Sequence, residues 1–159
     1  MLGTLVNTAA VIAGSAKRED FIISWWDYAY SMWFFTGAQT IVDGSKQNQD
    51  LWIASEIFFT PSQREAASLM RWAAEFEVIH STGMDAVIDD MIADFKTRTG
   101  RPAKDFVPAL RNGEVELPKK TRDVYFYLPW RLLQIAPNVA KLRPAKGLVP
   151  DDELDASTF

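Results

Sequence analysis

Cysteine is absent from the 159 residues of this chain, and histidine occurs once. Without cysteine the protein has no disulfide framework, no thiolate nucleophile and no thiolate-bound zinc or iron–sulfur site. A chain without cysteine is compatible with either side of a membrane. The default prediction is therefore a cytoplasmic protein, with membrane association as the alternative.

Positive charge is also scarce and scattered. The chain has 17 lysine and arginine residues against 21 acidic residues, which gives a formal net charge of −4. Because nucleic-acid affinity depends on clustered lysine and arginine, we predict no nucleic-acid partner. A glycine-rich phosphate loop and a Gly-x-Ser-x-Gly nucleophile elbow are missing as well, so we predict neither a cofactor nor a catalytic residue.

Long uninterrupted apolar runs are the third absence. Residues 2–14 are mostly apolar but are shorter than the about 20 residues that span a bilayer. Residues 21–42 approach that length, but Asp27 inside this segment would cost roughly 2.5–3.5 kcal/mol at the bilayer centre. A helix packed within the protein is therefore favoured, and N-terminal helices that insert in the bilayer or lie on it are the alternative.

The hydrophobic pattern predicts an all-α protein, a bundle of about five or six helices. The predicted helices cover residues 2–16, 21–42, 51–59, 61–80, 85–99 and a last segment from Arg122 or Asp123, with a shorter helix over 103–111. Residues 112–118 combine a turn dipeptide with brief alternation, which predicts a short irregular or β-like excursion. We expect a single helical domain over residues 1–142 and an extended acidic C-terminal tail over 143–159.

Helix starts are marked by side chains that can accept hydrogen bonds from free backbone amides. Asp20, Asp50 and Asp85 are predicted to cap the helices that follow them. Thr60, with a proline next and Gln63 three residues on, predicts a capped start for the helix that ends near His80.

Residues 21–42 are rich in aromatic side chains that point to several sides of the predicted helix. A helix that is apolar on most sides is normally buried on most sides. A fold this small offers few such positions, so we predict that a protein partner or a second copy of the chain supplies one wall. The predicted interface consists of Trp25, Trp26, Tyr30, Trp33, Phe34 and Phe35.

These observations predict a non-enzymatic accessory or assembly subunit. An alternative function rests on Glu77 and His80, which lie three residues apart on a predicted helix and could share a metal ion. Helical di-iron proteins need further ligands from other helices, and the sequence identifies none here. We therefore predict no metal site and keep Glu77 and His80 only as candidate ligands. A small metal-dependent enzyme centred on this pair remains the second alternative, beside the membrane-associated protein.

Overall fold

The computed structural model describes residues 2–42, 50–80, 87–143 and Leu148. Within this part of the chain, seven α-helices surround a three-stranded parallel sheet. The helices are α1 Leu2–Ala13, α2 Trp26–Thr36, α3 Leu51–Phe59, α4 Gln63–His80, α5 Val87–Thr99, α6 Phe106–Asn112 and α7 Arg131–Ala140. The strands are β1 Phe21–Ile23, β2 Gln39–Thr40 and β3 Val124–Phe126. The predicted predominance of helix is confirmed, but the all-α class is wrong because the sheet makes the fold α/β.

The central strand β1 separates two of the three hydrophobic cores among the described residues. In the sheet order β2-β1-β3, both neighbours run parallel to β1, and all three β1 side chains are buried. Phe21 and Ile23 face the larger core of α3 to α6, whereas Ile22 faces a smaller core between α1 and α2. This alternation follows from the two-residue period of a strand. A single helix over residues 21–42 is therefore wrong.

Asp20 joins distant strands instead of capping a helix. Its buried carboxylate accepts hydrogen bonds from the backbone N–H of Lys17 at 2.8 Å and of Asp123 at 2.8 Å. The backbone N–H of Phe21 in turn donates to the carbonyl of Asp123 at 3.0 Å. The hydrogen bond between Asp20 and Asp123 joins residues that are 103 positions apart, so no nearby sequence pattern reveals it. The cap prediction, which used neighbouring residues only, was therefore wrong.

The segment predicted to be irregular or β-like, 112–118, is irregular after the end of α6 and contains no strand. Val115 and Leu117 pack against the larger core, while Glu116 and Pro118 offer their carbonyls to the guanidinium groups of Arg98 and Arg71. Because arginine side chains donate hydrogen bonds to these carbonyls, the segment does not need a neighbouring strand as a hydrogen-bond partner. The nearest strand is β3 at residues 124–126, where the last helix was predicted to start.

The last helix, α7, begins at Arg131 and continues through Pro137 to Ala140. Two side chains of α3 donate hydrogen bonds to backbone carbonyls at the C-terminal end of α7 and just beyond it. Trp52 Nε1 donates to the carbonyl of Arg143 at 3.0 Å, and Ser55 Oγ donates to the carbonyl of Val139 at 2.9 Å. The division into a domain over 1–142 and a tail over 143–159 remains a prediction.

The remaining helix predictions agree closely with the structure. Helix α4 buries the predicted stripe of Leu69, Trp72, Ala73 and Phe76. It starts two residues later than predicted, because Ser62 Oγ, and not Thr60, accepts from the N–H of Glu65 at 3.2 Å. Asp50 precedes α3 as expected, but its carboxylate accepts from the N–H of Ile88 at the start of α5. Asp85 lies outside the described residues, and no helix among those described is long and apolar enough to cross a bilayer.

Candidate functional site

The carboxyl ends of β1 and β3 form one edge of the sheet. The chain leaves both strands side by side there, because the N–H of Tyr127 donates to the carbonyl of Ile23 at 3.0 Å and Ser24 Oγ donates to the carbonyl of Tyr127 at 3.0 Å. In open parallel sheets, ligands bind outside the carboxyl ends of the strands. This edge is therefore the candidate site.

Two half-buried indoles follow β1 at this edge. Trp25 packs against a small cluster that includes Phe59 and Leu132, and both Trp25 and Trp26 pack against the larger core. Trp25 keeps an extended backbone, with φ −68° and ψ 143°, and no side chain caps α2 at this position. The two rings are thus fixed on their inner faces and leave part of their surface accessible to a ligand.

Asp27 follows the two indoles in the first turn of α2, where the helix dipole favours a negative charge. The residue as a whole is exposed, but its carboxyl is partly desolvated, which raises the pKa of the carboxyl above the ordinary value. The positive charge of Arg131 acts to lower this pKa. Arg131 is the first residue of α7, which follows β3 in the sequence. The carboxylate can accept hydrogen bonds from N–H or O–H groups of a ligand.

Tyr28 closes the inner side of the site. Its ring meets the ring of Tyr127 edge to face, with centroids 5.9 Å apart. Burial and then the negative charge of Asp27 raise the pKa of the Tyr28 phenol above its ordinary value. The phenol therefore stays protonated at neutral pH.

The six predicted interface residues fall into two groups. Trp25 and Trp26 line the strand edge, whereas the other four lie farther along α2 with large exposed fractions: Tyr30 at 51%, Trp33 at 54%, Phe34 at 75% and Phe35 at 43%. Trp33 stands between two open grooves of about 410 and 270 Å³. A protein contact at these four side chains stays a prediction.

The sequence-based search missed Asp27, Tyr28 and Arg131 as site residues. Asp27 was considered only as a cost for membrane insertion. A usable signal was present, because a Trp-Trp-Asp-Tyr run follows three consecutive apolar residues, separated from them by Ser24 alone. Recognising those three residues as a strand would have placed the carboxylate at a strand end.

The predicted metal candidates lie elsewhere. Glu77 is buried on α4, and the side chain of His80 is outside the described part of the structure. Among the described residues, no group of three or more histidine, cysteine, aspartate or glutamate side chains is arranged to hold a metal ion.

The fold around this strand edge defines a domain found in a protein glycotransferase. The chain is similar to the crystal structure of the C-terminal domain of Campylobacter jejuni PglB, with a TM-score of 0.76 and 25% sequence identity over 87% of this chain and 52% of that one. The STT3/PglB/AglB core domain family matches residues 18–144, and the chain belongs to this family.

Two curated relatives agree with this assignment. Both are undecaprenyl-diphosphooligosaccharide–protein glycotransferases of C. jejuni, from strain NCTC 11168 and strain RM1221. Each is 28% identical over 134 residues, which is 79% of this chain and 18% of the relative. The chain thus spans less than a fifth of the length of these relatives.

Family membership corrects the functional predictions. The non-enzymatic accessory subunit is wrong, because the chain is homologous to the core domain of a glycotransferase family. The same finding overturns the two alternatives, the helical protein that inserts in or lies on the bilayer and the small metal-dependent enzyme centred on Glu77 and His80.

Proposed function

We propose that this chain takes part in the transfer of an oligosaccharide from an undecaprenyl diphosphate donor to a protein. The names of the two curated relatives describe this reaction, and family membership supports its extension to this chain. In such a transfer the bond between the glycan and the diphosphate breaks, a bond between the glycan and the acceptor protein forms, and undecaprenyl diphosphate leaves.

The proposed role of this domain is to hold the acceptor polypeptide at the strand edge. The observation that carries this role is the exposed Asp27 carboxylate beside the half-buried rings of Trp25 and Trp26, at the carboxyl ends of parallel strands. A polypeptide in extended form offers N–H groups to a carboxylate and apolar side chains to indole faces. Binding that positions the acceptor raises the transfer rate because it reduces the entropy that must be lost in the reaction.

The protein partner predicted from the aromatic residues becomes, in this proposal, the acceptor polypeptide. The location also changes. Undecaprenyl is a long isoprenoid chain that keeps the donor in a membrane, and we therefore place the domain at a membrane surface. Family membership favours the side of the membrane outside the cytoplasm. This placement concerns the donor and requires no helix of the domain to enter the bilayer.

The test is the kinetics of transfer with the Asp27→Asn variant. Membranes from cells that express the protein are supplied with undecaprenyl-diphosphooligosaccharide and increasing concentrations of an acceptor protein. Loss of a hydrogen bond to a charged group costs about 1.5–3 kcal/mol, so we expect KM for the acceptor to rise roughly 10- to 100-fold while KM for the donor stays unchanged.

Asp89→Asn is the matched control, because Asp89 is also exposed and also lies in the first turn of a helix, α5. It should leave both KM values unchanged. An unchanged acceptor KM in Asp27→Asn would overturn the role of the strand edge. Absence of transfer by the wild-type membranes would overturn the assigned reaction.

A further inference from the structure

Two buried glutamates lie close together in the helical part of the fold, each paired with an arginine, and Arg111 alone of the four side chains is partly exposed. Glu56 on α3 and Glu65 on α4 are both fully buried. The guanidinium of Arg143, which follows α7, donates to both oxygens of Glu56 at 2.9 and 3.2 Å. Arg111 on α6 donates from Nε to Oε2 of Glu65 at 2.8 Å. Buried charges are costly unless they are paired, so these contacts tie four segments together.

One oxygen of this cluster has no donor. Oε1 of Glu65 is buried and accepts no hydrogen bond from the described residues. Burial, together with the nearby carboxylate of Glu56, raises the pKa of Glu65 to about 7, although Arg111 acts to lower it. A proton on Glu65 would remove the unsatisfied oxygen, because the resulting O–H can donate to Glu56.

We propose that Glu65 binds a proton in the folded chain and donates a hydrogen bond to Glu56, and that this shared proton acts as a latch for α7. The protonated carboxyl orients Glu56, and Glu56 holds Arg143 against α3. The neighbouring bonds from Trp52 and Ser55 fix the same stretch of chain, residues 139–143. When the pH rises, Glu65 releases its proton to solvent. Two negative charges then meet in the interior, the hydrogen bond is lost and the latch loosens.

Among the described residues, three groups face Glu65: Glu56 from α3, the hydroxyl of Thr60 from the loop after α3, and the guanidinium of Arg111 from α6. Burial together with Glu56 raises the pKa of Glu65 and outweighs Arg111 and Thr60, which act to lower it. Arg143 acts on the pair through Glu56. The adjacent Arg64 is exposed and donates to the carbonyl of Asn112 at 3.1 Å, so its charge is directed to the surface.

The latch also reaches the candidate site. Trp25 packs against a hydrophobic cluster that includes Leu132 and Val139, near the two ends of α7. Loosening of α7 should therefore weaken the support under the Trp25 ring and raise KM for the acceptor. This last step rests on the proposed function, whereas the latch itself does not.

Hydrogen exchange of the α7 amides tests the latch on the full chain, without donor or acceptor. After correction for the intrinsic exchange rate, the opening of residues 131–140 should be about tenfold more frequent at pH 8 than at pH 6, given a pKa of about 7 in the folded state. Glu65→Gln should show the same opening at both pH values, because its amide can accept from Arg111 and donate to Glu56 permanently. Glu75→Gln, on the same helix but bound to Thr121, should keep the tenfold pH effect.

Carbon-13 NMR of the glutamate carboxyls gives a second readout that needs no variant. One carboxyl should titrate near pH 7 in the wild type, and this titration should disappear in Glu65→Gln. No glutamate titrating between pH 6 and 8 would overturn the shared proton, and pH-independent exchange of α7 would overturn the latch. Asp27→Asn should retain both signals, so failure of the proposed function and failure of the latch are distinguishable.

Discussion

Replacement of Glu65 by glutamine should stabilise the protein at high pH and leave it nearly unchanged at low pH. Glutamine has almost the shape of a protonated glutamic acid and carries no charge. Its carbonyl can accept from Arg111 Nε in place of Oε2, and its amide can donate to Glu56. The variant therefore imitates the proton-bound form at every pH.

The magnitude follows from the raised pKa. With 4.5 for the unfolded chain and about 7 for the folded chain, the folded state binds more protons between these values. The contribution of Glu65 to stability is thus full below pH 4.5, falls as the pH rises and is lost above pH 7. Between pH 5 and pH 8 the free energy of unfolding of the wild type should fall, relative to that of Glu65→Gln, by about 2.5 kcal/mol.

Urea unfolding at pH 5, 6, 7 and 8 measures this difference, since other groups titrate equally in both proteins. Glu75→Gln provides a contrast on the same helix. Burial tends to raise the pKa of Glu75, but hydrogen bonds from Thr121 and the charge of Arg122 outweigh it, so the pKa is lowered. Glu75→Gln should be less stable by about 1–3 kcal/mol at both pH 5 and pH 8, with recovery only below pH 4.5. An equal stability difference between Glu65→Gln and wild type at pH 5 and pH 8 would refute the reasoning.

Two further predictions concern bonds between distant segments. Arg143→Met should lower the free energy of unfolding by about 3–5 kcal/mol in urea titrations, because Glu56 would be left as a buried, unpaired charge. Adding Glu56→Gln to this variant should restore part of the lost stability. No recovery in the double variant would contradict this account. Ser24→Ala should lower the free energy of unfolding by about 1 kcal/mol, because the hydrogen bond to the Tyr127 carbonyl is lost. The Tyr127 amide should then exchange its hydrogen faster. Unchanged exchange would show that this bond does not hold the strand ends together.

Local signals predicted the helices on the larger core but not the sheet. Helix α5 has an uninterrupted apolar stripe, and α3 lies between clear polar boundaries, so periodicity sufficed for both. Strand β1 has only three apolar residues, which periodicity cannot distinguish from a helical turn. Its partners are set by pairing with Val124–Phe126, about a hundred residues away, and one sequence carries no direct record of such contacts.

The residues of the candidate site were noticed only in part, for the same reason. Trp25 and Trp26 stood out because of their size and number. The proposed role of Asp27 depends on the strand end that precedes it and on the charge of Arg131, a residue more than a hundred positions later in the sequence. The partnership of Glu56 with Arg143 is equally invisible locally, because 87 residues separate the two.

The order β2-β1-β3 has a consequence for folding. The middle strand comes early in the sequence, and one of its neighbours comes only after residue 123. A chain that emerges from the ribosome must therefore carry an unpaired β1 edge until most of the domain has been synthesised. Closing so long a loop is slow, and contact order of this kind delays folding. The strand edge beside Trp25 should consequently be among the last features to form, after the helices of the larger core have assembled.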